Sequence, residues 1–397
     1  MKYVIVIPEG ASEKPLADLK GKTPLEAAKT PNMDALVELG RAGVVRTQSP
    51  ALAPRASTAM MSLLGYDPCR YFTGIAPLEA IGAGVNLPRD KTVFRFDFVT
   101  IIDEVLEDIT AGSLSTPEAT ALLEQLSAAL KQAGVKLIHS QQYRNLVLFP
   151  GEWAVTTTAP QTFLSKRYRP HLPRSGSADV LLALMERVRE FLAQSEINHV
   201  REDLGENTVT DAWIWGQGKR PTLSKFEGRY NLKAFGISSS NYMRGLTSLL
   251  GWIQPVAPAY ALELADVDYP AVGKAAAEAL DTHDLVTVHL EGPSLASLAG
   301  NPTEKVRTIE QIDAHVIGPL LDSVRRMGQP WRMMVTPGIA AGCDERNYLR
   351  DDVPVVIAGE RMTHTVTGGF SEAVANARGD LHIDRGFRLM EYFLTVR

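Results

Sequence analysis

Cysteine is scarce in this sequence, since the 397 residues include only Cys69 and Cys343. Two cysteines so far apart provide neither a disulfide framework nor the paired spacing of a zinc site. Positive charge is not in excess either, because 46 acidic residues outnumber 41 lysines and arginines and the formal net charge is −5. This balance argues against general binding to nucleic acid or to an anionic membrane. We therefore expect neither of them as a partner.

The sequence also lacks a long uninterrupted apolar segment. Its start, MKYVIVIPEG, contains a short apolar run broken by Pro8 and Glu9, which predicts a first β-strand rather than a signal peptide. The charge-free stretch 247–262 is interrupted by Gln254, Pro255 and Pro258, and it is too short to span a bilayer comfortably. These absences predict a cytoplasmic protein.

The two ends of the chain carry alternating strand and helix signals. The run KYVIVI (Lys2 to Ile7) is continuous and β-branched, which is typical of a strand covered on both faces. A helix is predicted to follow from an N-cap at Thr30 to about Gly40, and then a strand at Gly43 to Thr47. In the last third, DLVTVHL, WRMMVT and VPVVIA are predicted strands, and a capping-box pattern at Asn301 predicts a long helix.

The middle of the chain has a different pattern. TVFRFDFVTI (Thr92 to Ile101) partly alternates in period two, which predicts a strand with one solvent-exposed face. STPEATALLEQLSAALKQAG predicts an amphipathic helix capped by Ser115 or Thr116, and VKLIH and NLVLFP predict further strands. We therefore predict a doubly wound α/β core at residues 1–88 and 205–397, with a smaller α+β cap domain inserted at 89–204.

Six stretches occur in a specific order and spacing: GKTPLEAAKTPNMDALVELGRAGVV, SLLGYDPCRYFTGIAPLEA, AGSLSTPEA, YRNLVL, DAWIWGQGKRPTL and EKVRTIEQIDAHVIGPLLD. Together they resemble the archaeal-type, cofactor-independent (2,3-bisphosphoglycerate-independent) phosphoglycerate mutases of the alkaline phosphatase superfamily, over nearly the whole chain. The resemblance implies an alkaline-phosphatase-like core with a cap, two divalent metals (often manganese) and a serine nucleophile. It also implies conversion of 3-phosphoglycerate to 2-phosphoglycerate through a phosphoserine.

The positions that the resemblance assigns to metal ligands depart from the family pattern. The family's Asp-Gly after the first strand matches Glu9-Gly10, whose carboxylate is one methylene longer and can still bind a metal. The five other family ligand positions hold residues unlike the family's Asp and His: Ser294, Leu298, Gly338, Ile339 and Tyr348. An aliphatic carbon or a phenol cannot replace an imidazole at ordinary pH. We therefore expect no cofactor, and two divalent metals of the manganese type only if this assignment is wrong.

The segment of the family's nucleophile corresponds to APRASTAMMSLLGYDP. Counting back from Gly65 without a gap places Ala56 at the position of the serine, whereas a one-residue gap would place Ser57 there. Another interpretation of Ser57 and Thr58 is that they cap the following helix. The sequence leaves open whether Ala56 or Ser57 occupies the nucleophile position.

Three arginines are candidates for substrate binding. Arg55 lies next to the nucleophile segment, where it could clamp an anion, and Arg95 and Arg144 match basic positions in the family's cap. The predicted ligand is therefore a small phosphorylated or anionic metabolite. A homo-oligomer or a protein partner is left open.

Three hypotheses about function follow. The leading one is a phosphoglycerate mutase family protein that has lost its metal ligands and its nucleophile, and that serves as a non-catalytic binding or regulatory homologue. The second is a metal-free enzyme in which Glu9 is a general base and Ser57 a nucleophile. The third is a metal-dependent phosphoglycerate mutase or phosphatase that is still active.

Overall fold

The computed structural model describes residues 1–130, 135–255 and 267–395. Part of the charge-free stretch, residues 256–262, and the end of the predicted helix STPEATALLEQLSAALKQAG, residues 131–134, lie outside this description. Contacts divide the chain into a first unit, Met1–Phe72 with Thr222–Arg397, and a second unit, Thr73–Pro221. The predicted cap boundaries, 89 and 204, both fall inside the second unit. Among the described helices, none combines the length and the apolar character needed to cross a membrane.

The described strands are β1 Lys2–Pro8, β2 Gly10–Ser12, β3 Gly40–Val45, β4 Lys91–Ile102, β5 Val105–Asp108, β6 Lys136–Gln141, β7 Arg144–Pro150, β8 Asp211–Gly218, β9 Ala234–Ser238, β10 Leu285–Leu290, β11 Trp331–Val335, β12 Ala340–Gly342, β13 Asn347–Tyr348, β14 Val353–Gly359 and β15 Leu381–Ile383.

The described α-helices are α1 Pro24–Ala27, α2 Pro31–Leu39, α3 Ala56–Leu63, α4 Pro68–Tyr71, α5 Ile75–Gly82, α6 Thr116–Ala129, α7 Ala178–Leu192, α8 Glu196–Asp203, α9 Phe226–Tyr230, α10 Asn241–Leu250, α11 Tyr269–Ala279, α12 Gly292–Leu298, α13 Pro302–Ile312, α14 Gly318–Arg326, α15 Glu372–Arg378 and α16 Leu389–Thr395.

The first unit is built on a seven-stranded sheet in the order β15-β3-β14-β11-β1-β10-β9. Strands β11, β1, β10 and β9 are parallel neighbours, whereas β14 runs antiparallel to both β11 and β3. Strand β1 is buried from its second residue onward, so both of its faces are covered, as its β-branched composition predicts. The carboxyl ends of the parallel strands meet at one edge, where open α/β sheets bind their ligands.

Helix α2 has the predicted start but a different cap. Thr30 is the N-cap residue and Pro31 follows it, yet the Thr30 side chain makes no capping hydrogen bond. The carboxylate of Asp313 instead accepts hydrogen bonds from the backbone N–H groups of Asn32, at 3.1 Å, and Met33, at 2.8 Å. A residue distant in sequence therefore satisfies the free amides of this helix.

Strand β3 begins earlier than predicted, at Gly40 instead of Gly43. Gly40 pairs with Ala358 of β14, and a Cβ at residue 40 would lie 2.1 Å from the Ile357 carbonyl oxygen. Glycine therefore permits a close backbone approach here, although it also resembles a helix-ending signal in the sequence.

The predicted long helix after Asn301 is divided into α13, a π-helical turn at Asp313–Ile317, and α14. The Asn301 side chain accepts the Glu304 N–H at 3.0 Å, so the predicted cap is confirmed. The core of the first unit includes apolar residues of this segment, among them Ile309, Ile312, Val316, Leu320 and Val324.

The second unit contains an antiparallel sheet in the order β5-β4-β7-β6, with β8 paired to β4. Helix α6 is capped by Ser115, whose side chain accepts the Glu118 N–H, while the Glu118 carboxylate accepts the Ser115 N–H. Helices α6 and α7 pack against aromatic residues of the sheet. This arrangement confirms the predicted α+β character of the inserted segment.

The predicted solvent-exposed face of β4 is wrong, because Thr92 to Thr100 are all buried. Phe94, Phe96 and Phe98 form one face and belong to the aromatic core. On the other face, Arg95 and Asp97 are buried together with Glu79 of α5, to which Arg95 is ion-paired. Polar residues alternating with apolar ones therefore indicate a buried ion-pair cluster here rather than contact with water.

Candidate active site

A buried polar cluster lies at the carboxyl edge of the core sheet. Glu9 follows β1, His289 lies near the end of β10, and Ser238 ends β9. Parallel pairing aligns Ile7 with His289 and His289 with Ser238, so the three strand ends bring these side chains together. All three belong to the first unit.

The carboxylate of Glu9, which is fully buried, is the centre of this cluster. Its Oε2 accepts hydrogen bonds from the Tyr242 hydroxyl and from His289 Nε2, the latter at 2.8 Å. Its Oε1 accepts the Ser294 hydroxyl at 2.7 Å and the Tyr348 hydroxyl at 3.3 Å. We call these five residues the Glu9 cluster. Both oxygens of the carboxylate are thus engaged by protein donors.

The ionisation of the Glu9 cluster follows from these contacts. Burial acts to raise the pKa of Glu9, but the hydrogen bond and charge of His289, with the hydroxyls of Tyr242 and Ser294, hold that pKa below its ordinary value. Burial and the nearby Glu9 carboxylate raise the pKa of Tyr242 well above 10.0. The cluster therefore consists of a carboxylate and a protonated phenol. Ser238 Oγ lies 2.8 Å from His289 Nδ1 and fixes the orientation of the ring.

Gly338, which the resemblance places at a metal-binding Asp, is surrounded by apolar atoms. Its φ is +73°, and a Cβ built on it would lie 2.3 Å from Met60 Cε and 3.1 Å from Ile7 Cγ2. Ile339, at the position of a His, is fully buried, whereas Leu298 is half-buried. Of the six family ligand positions, Glu9, Ser294 and Tyr348 converge on one cluster, and Gly338 lies in apolar packing.

The nucleophile segment contains the whole of α3, and both candidate positions, Ala56 and Ser57, lie in its first turn. The helix begins at Ala56 with Arg55 as its N-cap residue, and no side chain caps it. The interpretation of Ser57 and Thr58 as the N-cap is therefore wrong, and the Thr58 hydroxyl instead donates to the Arg55 carbonyl at 2.9 Å. Ser57 is buried, and its hydroxyl has no hydrogen-bond partner within the described residues. Burial lowers the pKa of the Arg55 guanidinium.

The two other candidate arginines lie in the second unit. Arg95 is ion-paired with Glu79 and Asp97, each at 3.0 Å, and its guanidinium lies 4.8 Å from the centre of the Trp215 ring. Arg144 is the register partner of Asp97, and its Nε donates to the Tyr143 hydroxyl at 3.2 Å. An anion that approached Arg95 would therefore compete with two carboxylates.

A second buried cluster holds the loop between β11 and β14. Lys305 Nζ donates to Glu13 Oε2 and to the Ala341 carbonyl, both at 2.7 Å, and Glu13 Oε1 accepts the Cys343 N–H at 2.5 Å. Burial lowers the pKa of Lys305, while the Glu13 carboxylate acts in the opposite direction. This ion pair fixes the start of the loop that ends in Tyr348.

The donors present do not fit two divalent metals. The Glu9 cluster offers one carboxylate and one imidazole, and its other members are hydroxyl groups, which are poor metal ligands when protonated. Across the described ranges of the chain, no three His, Cys, Asp or Glu residues are grouped so that they could hold a metal ion. Sequence reasoning missed Tyr242, which no local pattern distinguishes from a core residue at the start of α10.

Comparisons with known proteins identify the family. A family model described as 2,3-bisphosphoglycerate-independent phosphoglycerate mutase matches residues 38–198. A curated mutase of that name from Methanothrix thermoacetophila is 34% identical over 96% of this chain and 96% of its own length. Another, from Methanothermobacter thermautotrophicus, is 35% identical over 99% of this chain and 97% of its own length.

The chain belongs to the 2,3-bisphosphoglycerate-independent phosphoglycerate mutase family. Solved structures agree with the predicted fold. The PH0037 protein from Pyrococcus horikoshii matches with a TM-score of 0.79 and 25% identity, covering 100% of this chain and 98% of its own. A cofactor-independent phosphoglycerate mutase from Thermoplasma acidophilum has the same fold, with a TM-score of 0.59 and 24% identity over 99% of both chains. The predicted family and the predicted α/β fold are therefore confirmed.

Proposed function

We propose that this member of the mutase family does not carry out two-metal phosphoryl transfer and instead acts as a non-catalytic binding or regulatory homologue. The observation that carries the proposal is the Glu9 cluster. Its carboxylate is the one family ligand position with a metal-binding side chain, and four protein donors already use its oxygens.

A metal ion at Glu9 would have to displace these donors. Each buried donor that lost its acceptor would cost roughly 1–3 kcal/mol. The ion would gain few ligands in return, because Ser294 and Tyr348 offer hydroxyls, and Gly338 and Ile339 offer no side-chain donor. Removing even an outer-shell partner of a metal ligand lowers the affinity for the metal roughly 10–100-fold. The loss of several direct ligands should lower this affinity much further.

The nucleophile segment supports the same proposal. In the ungapped assignment the serine is replaced by Ala56, which cannot be phosphorylated. In the gapped assignment Ser57 lies in α3 without a hydrogen-bonded base among the described residues. A serine hydroxyl is a weak nucleophile unless a base or a metal activates it. For the same reason a metal-free enzyme that uses Ser57 is the weaker candidate.

Metal-dependent mutase activity is the competing function, and the names of the curated relatives favour it. The decisive assay measures conversion of 3-phosphoglycerate to 2-phosphoglycerate with added Mn²⁺, with the 35%-identical relative from Methanothermobacter thermautotrophicus as the positive control. We expect no turnover above background. Turnover that requires Mn²⁺ and disappears in Glu9→Gln would overturn the proposal.

The predicted ligand is a small phosphorylated or anionic metabolite, with Arg55, Arg95 and Arg144 as candidate contacts. Calorimetric titration with 3-phosphoglycerate, without metal, tests this part. We expect binding that weakens in Arg144→Met, because Arg144 is only partly buried and methionine removes its positive charge while keeping a long side chain. Equal affinity in the wild type and in variants of all three arginines would exclude them as anion contacts. A cytoplasmic location stays our prediction.

A further inference from the structure

A cavity of about 390 Å³ lies in the first unit between two loops that follow neighbouring strands. Arg46 and Thr47 follow β3, and residues 384–387 follow β15, which is parallel to β3. Hydrogen bonds from Arg46 N to the Ile383 carbonyl, at 2.9 Å, and from Gly386 N to the Arg46 carbonyl, at 2.8 Å, hold the loops together. Small-molecule sites commonly occupy roughly 300–1,000 Å³ at such strand ends, and this cavity is within that range.

The cavity contains a buried polar group that the protein does not satisfy. Thr47 lines it and is 3% exposed, and its hydroxyl has no hydrogen-bond partner within the described part of the chain. A buried hydroxyl without a partner costs roughly 1–3 kcal/mol. A polar ligand atom would remove this cost once the Thr47 side chain turned its hydroxyl, which is now buried, toward the cavity.

The rest of the lining combines an apolar wall with charges of both signs. Phe387, Pro50 and Pro68 provide apolar surface. The charged lining residues balance, since they are two arginines and two aspartates: Arg46, Arg385, Asp67 and Asp384. The guanidinium of Arg46 is ion-paired with Asp352 at 3.0 Å, whereas Arg385 has no ion pair among the described residues. With Arg46 paired, the lining still offers a ligand one guanidinium, that of Arg385, and the carboxylates of Asp67 and Asp384, so a ligand that carries both charges matches it better than a ligand with one charge.

We propose that this cavity binds a small zwitterion of the amino-acid type with an apolar side chain. Arg385 binds its carboxylate, Asp384 or Asp67 binds its ammonium group, and Phe387 contacts its side chain. The proposal does not depend on the proposed loss of mutase activity, because the cavity shares no residue with the Glu9 cluster. Binding and turnover are therefore tested separately.

Cys69 provides a reporter for binding. It is exposed, it lines the cavity, and its Sγ lies 3.0 Å from Ser49 Oγ. The other cysteine, Cys343, is buried. A ligand in the cavity will therefore slow alkylation of the one thiol that is accessible in the folded protein.

The experiment measures iodoacetamide alkylation of Cys69 by mass spectrometry, together with calorimetric titration. The probes are L-phenylalanine, L-leucine and L-methionine, compared with 3-phenylpropionate, which lacks the ammonium group, and phenethylamine, which lacks the carboxylate. We expect at least one amino acid to slow alkylation, and each singly charged analogue to bind about tenfold more weakly or worse. Arg385→Ala removes the protection. Arg388→Ala, an exposed arginine outside the lining, retains it.

Two results would overturn the proposed ligand class, and a third would overturn the role of Arg385. If none of the three amino acids binds or slows alkylation at millimolar concentration, the cavity is not a site for this class of ligand. If 3-phenylpropionate binds as tightly as L-phenylalanine, the cavity recognises an anion and not a zwitterion. Equal loss of protection in Arg385→Ala and Arg388→Ala would show that Arg385 is not the carboxylate contact.

Discussion

Replacing Gly338 by alanine tests whether apolar packing fills the family's metal-binding position. The φ of +73° is in the left-handed region, where a side chain costs about 1–2 kcal/mol. The new Cβ would also lie 3.1 Å from Ile7 Cγ2 and 3.2 Å from Leu63 Cδ1, and it would displace Met60 Cε, the flexible end of its side chain, which lies 2.3 Å from the same position. Overpacking of a well-packed core costs about 1–3 kcal/mol more. We therefore expect Gly338→Ala to lower the free energy of unfolding by about 2–5 kcal/mol.

Gly21→Ala is the matched control. Its φ is +77°, close to that of Gly338, but a Cβ at residue 21 would have no atom within 4 Å. This variant carries the backbone strain without the overpacking, so it should lose about 1–2 kcal/mol. Urea unfolding followed by far-UV circular dichroism measures both variants, and the difference between them isolates the packing contribution.

Equal losses in the two variants would refute the reasoning. They would mean that Met60 moves aside freely, and that space for a carboxylate exists at residue 338. A further sign of the same error would be stabilisation of Gly338→Asp by Mn²⁺, because a metal that binds the folded protein raises its stability.

Three other predictions concern buried groups. Lys305→Met leaves the buried Glu13 carboxylate without its ion-pair partner and should lower the free energy of unfolding by about 3–5 kcal/mol. Arg95→Met removes the ion-pair partner of two buried carboxylates and should lower it at least as much. Arg307→Ala breaks an exposed ion pair and serves as the control, with an expected loss of less than about 1 kcal/mol. Similar losses of unfolding free energy in all three variants, measured by urea unfolding, would contradict this ranking. Burial raises the pKa of Cys343 from 9.0 to about 11, so the folded state binds this proton more tightly than the unfolded state does. The free energy of unfolding should therefore fall as the pH rises from 9 to 11. Cys343→Ala should remove that component of the pH dependence of the urea midpoint, and an unchanged dependence would exclude the thiol as its source.

The core strands and several helix ends could be predicted from the sequence because their signals are local. The β-branched run Lys2 to Ile7 and the caps at Asn301 and Ser115 depend on residues a few positions apart. Strand β3 shows the limit of such signals. Gly40 both resembles the end of a helix and begins a strand, and only its approach to β14 distinguishes the two.

The environment of polar residues could not be predicted in the same way. The alternation in β4 suggested a face in water, but Arg95 and Asp97 are buried, and Arg95 is ion-paired with both Asp97 and Glu79. Glu79 lies 16 residues before Arg95, which is beyond the range of a local sequence pattern. The cap of α2 comes from Asp313, about 280 residues away. Partners that come from distant segments leave no periodic trace in the sequence.

The candidate site was predicted in part. The departures at Ser294, Gly338 and Tyr348 were visible once the family resemblance was established. The sequence did not show what takes the place of the ligands, because Tyr242 reaches Glu9 from the start of another helix. The assignment of Ser57 as a nucleophile stays a prediction, as does the expected absence of a metal cofactor.

The most direct test of the central claim is the metal content of the purified protein. The protein is incubated with excess Mn²⁺, freed of unbound metal by gel filtration, and analysed for bound metal per chain by elemental analysis. Because the Glu9 cluster saturates its carboxylate with protein donors, we predict far less than one ion per chain. Two tightly bound ions per chain, lost in Glu9→Gln, would contradict the account.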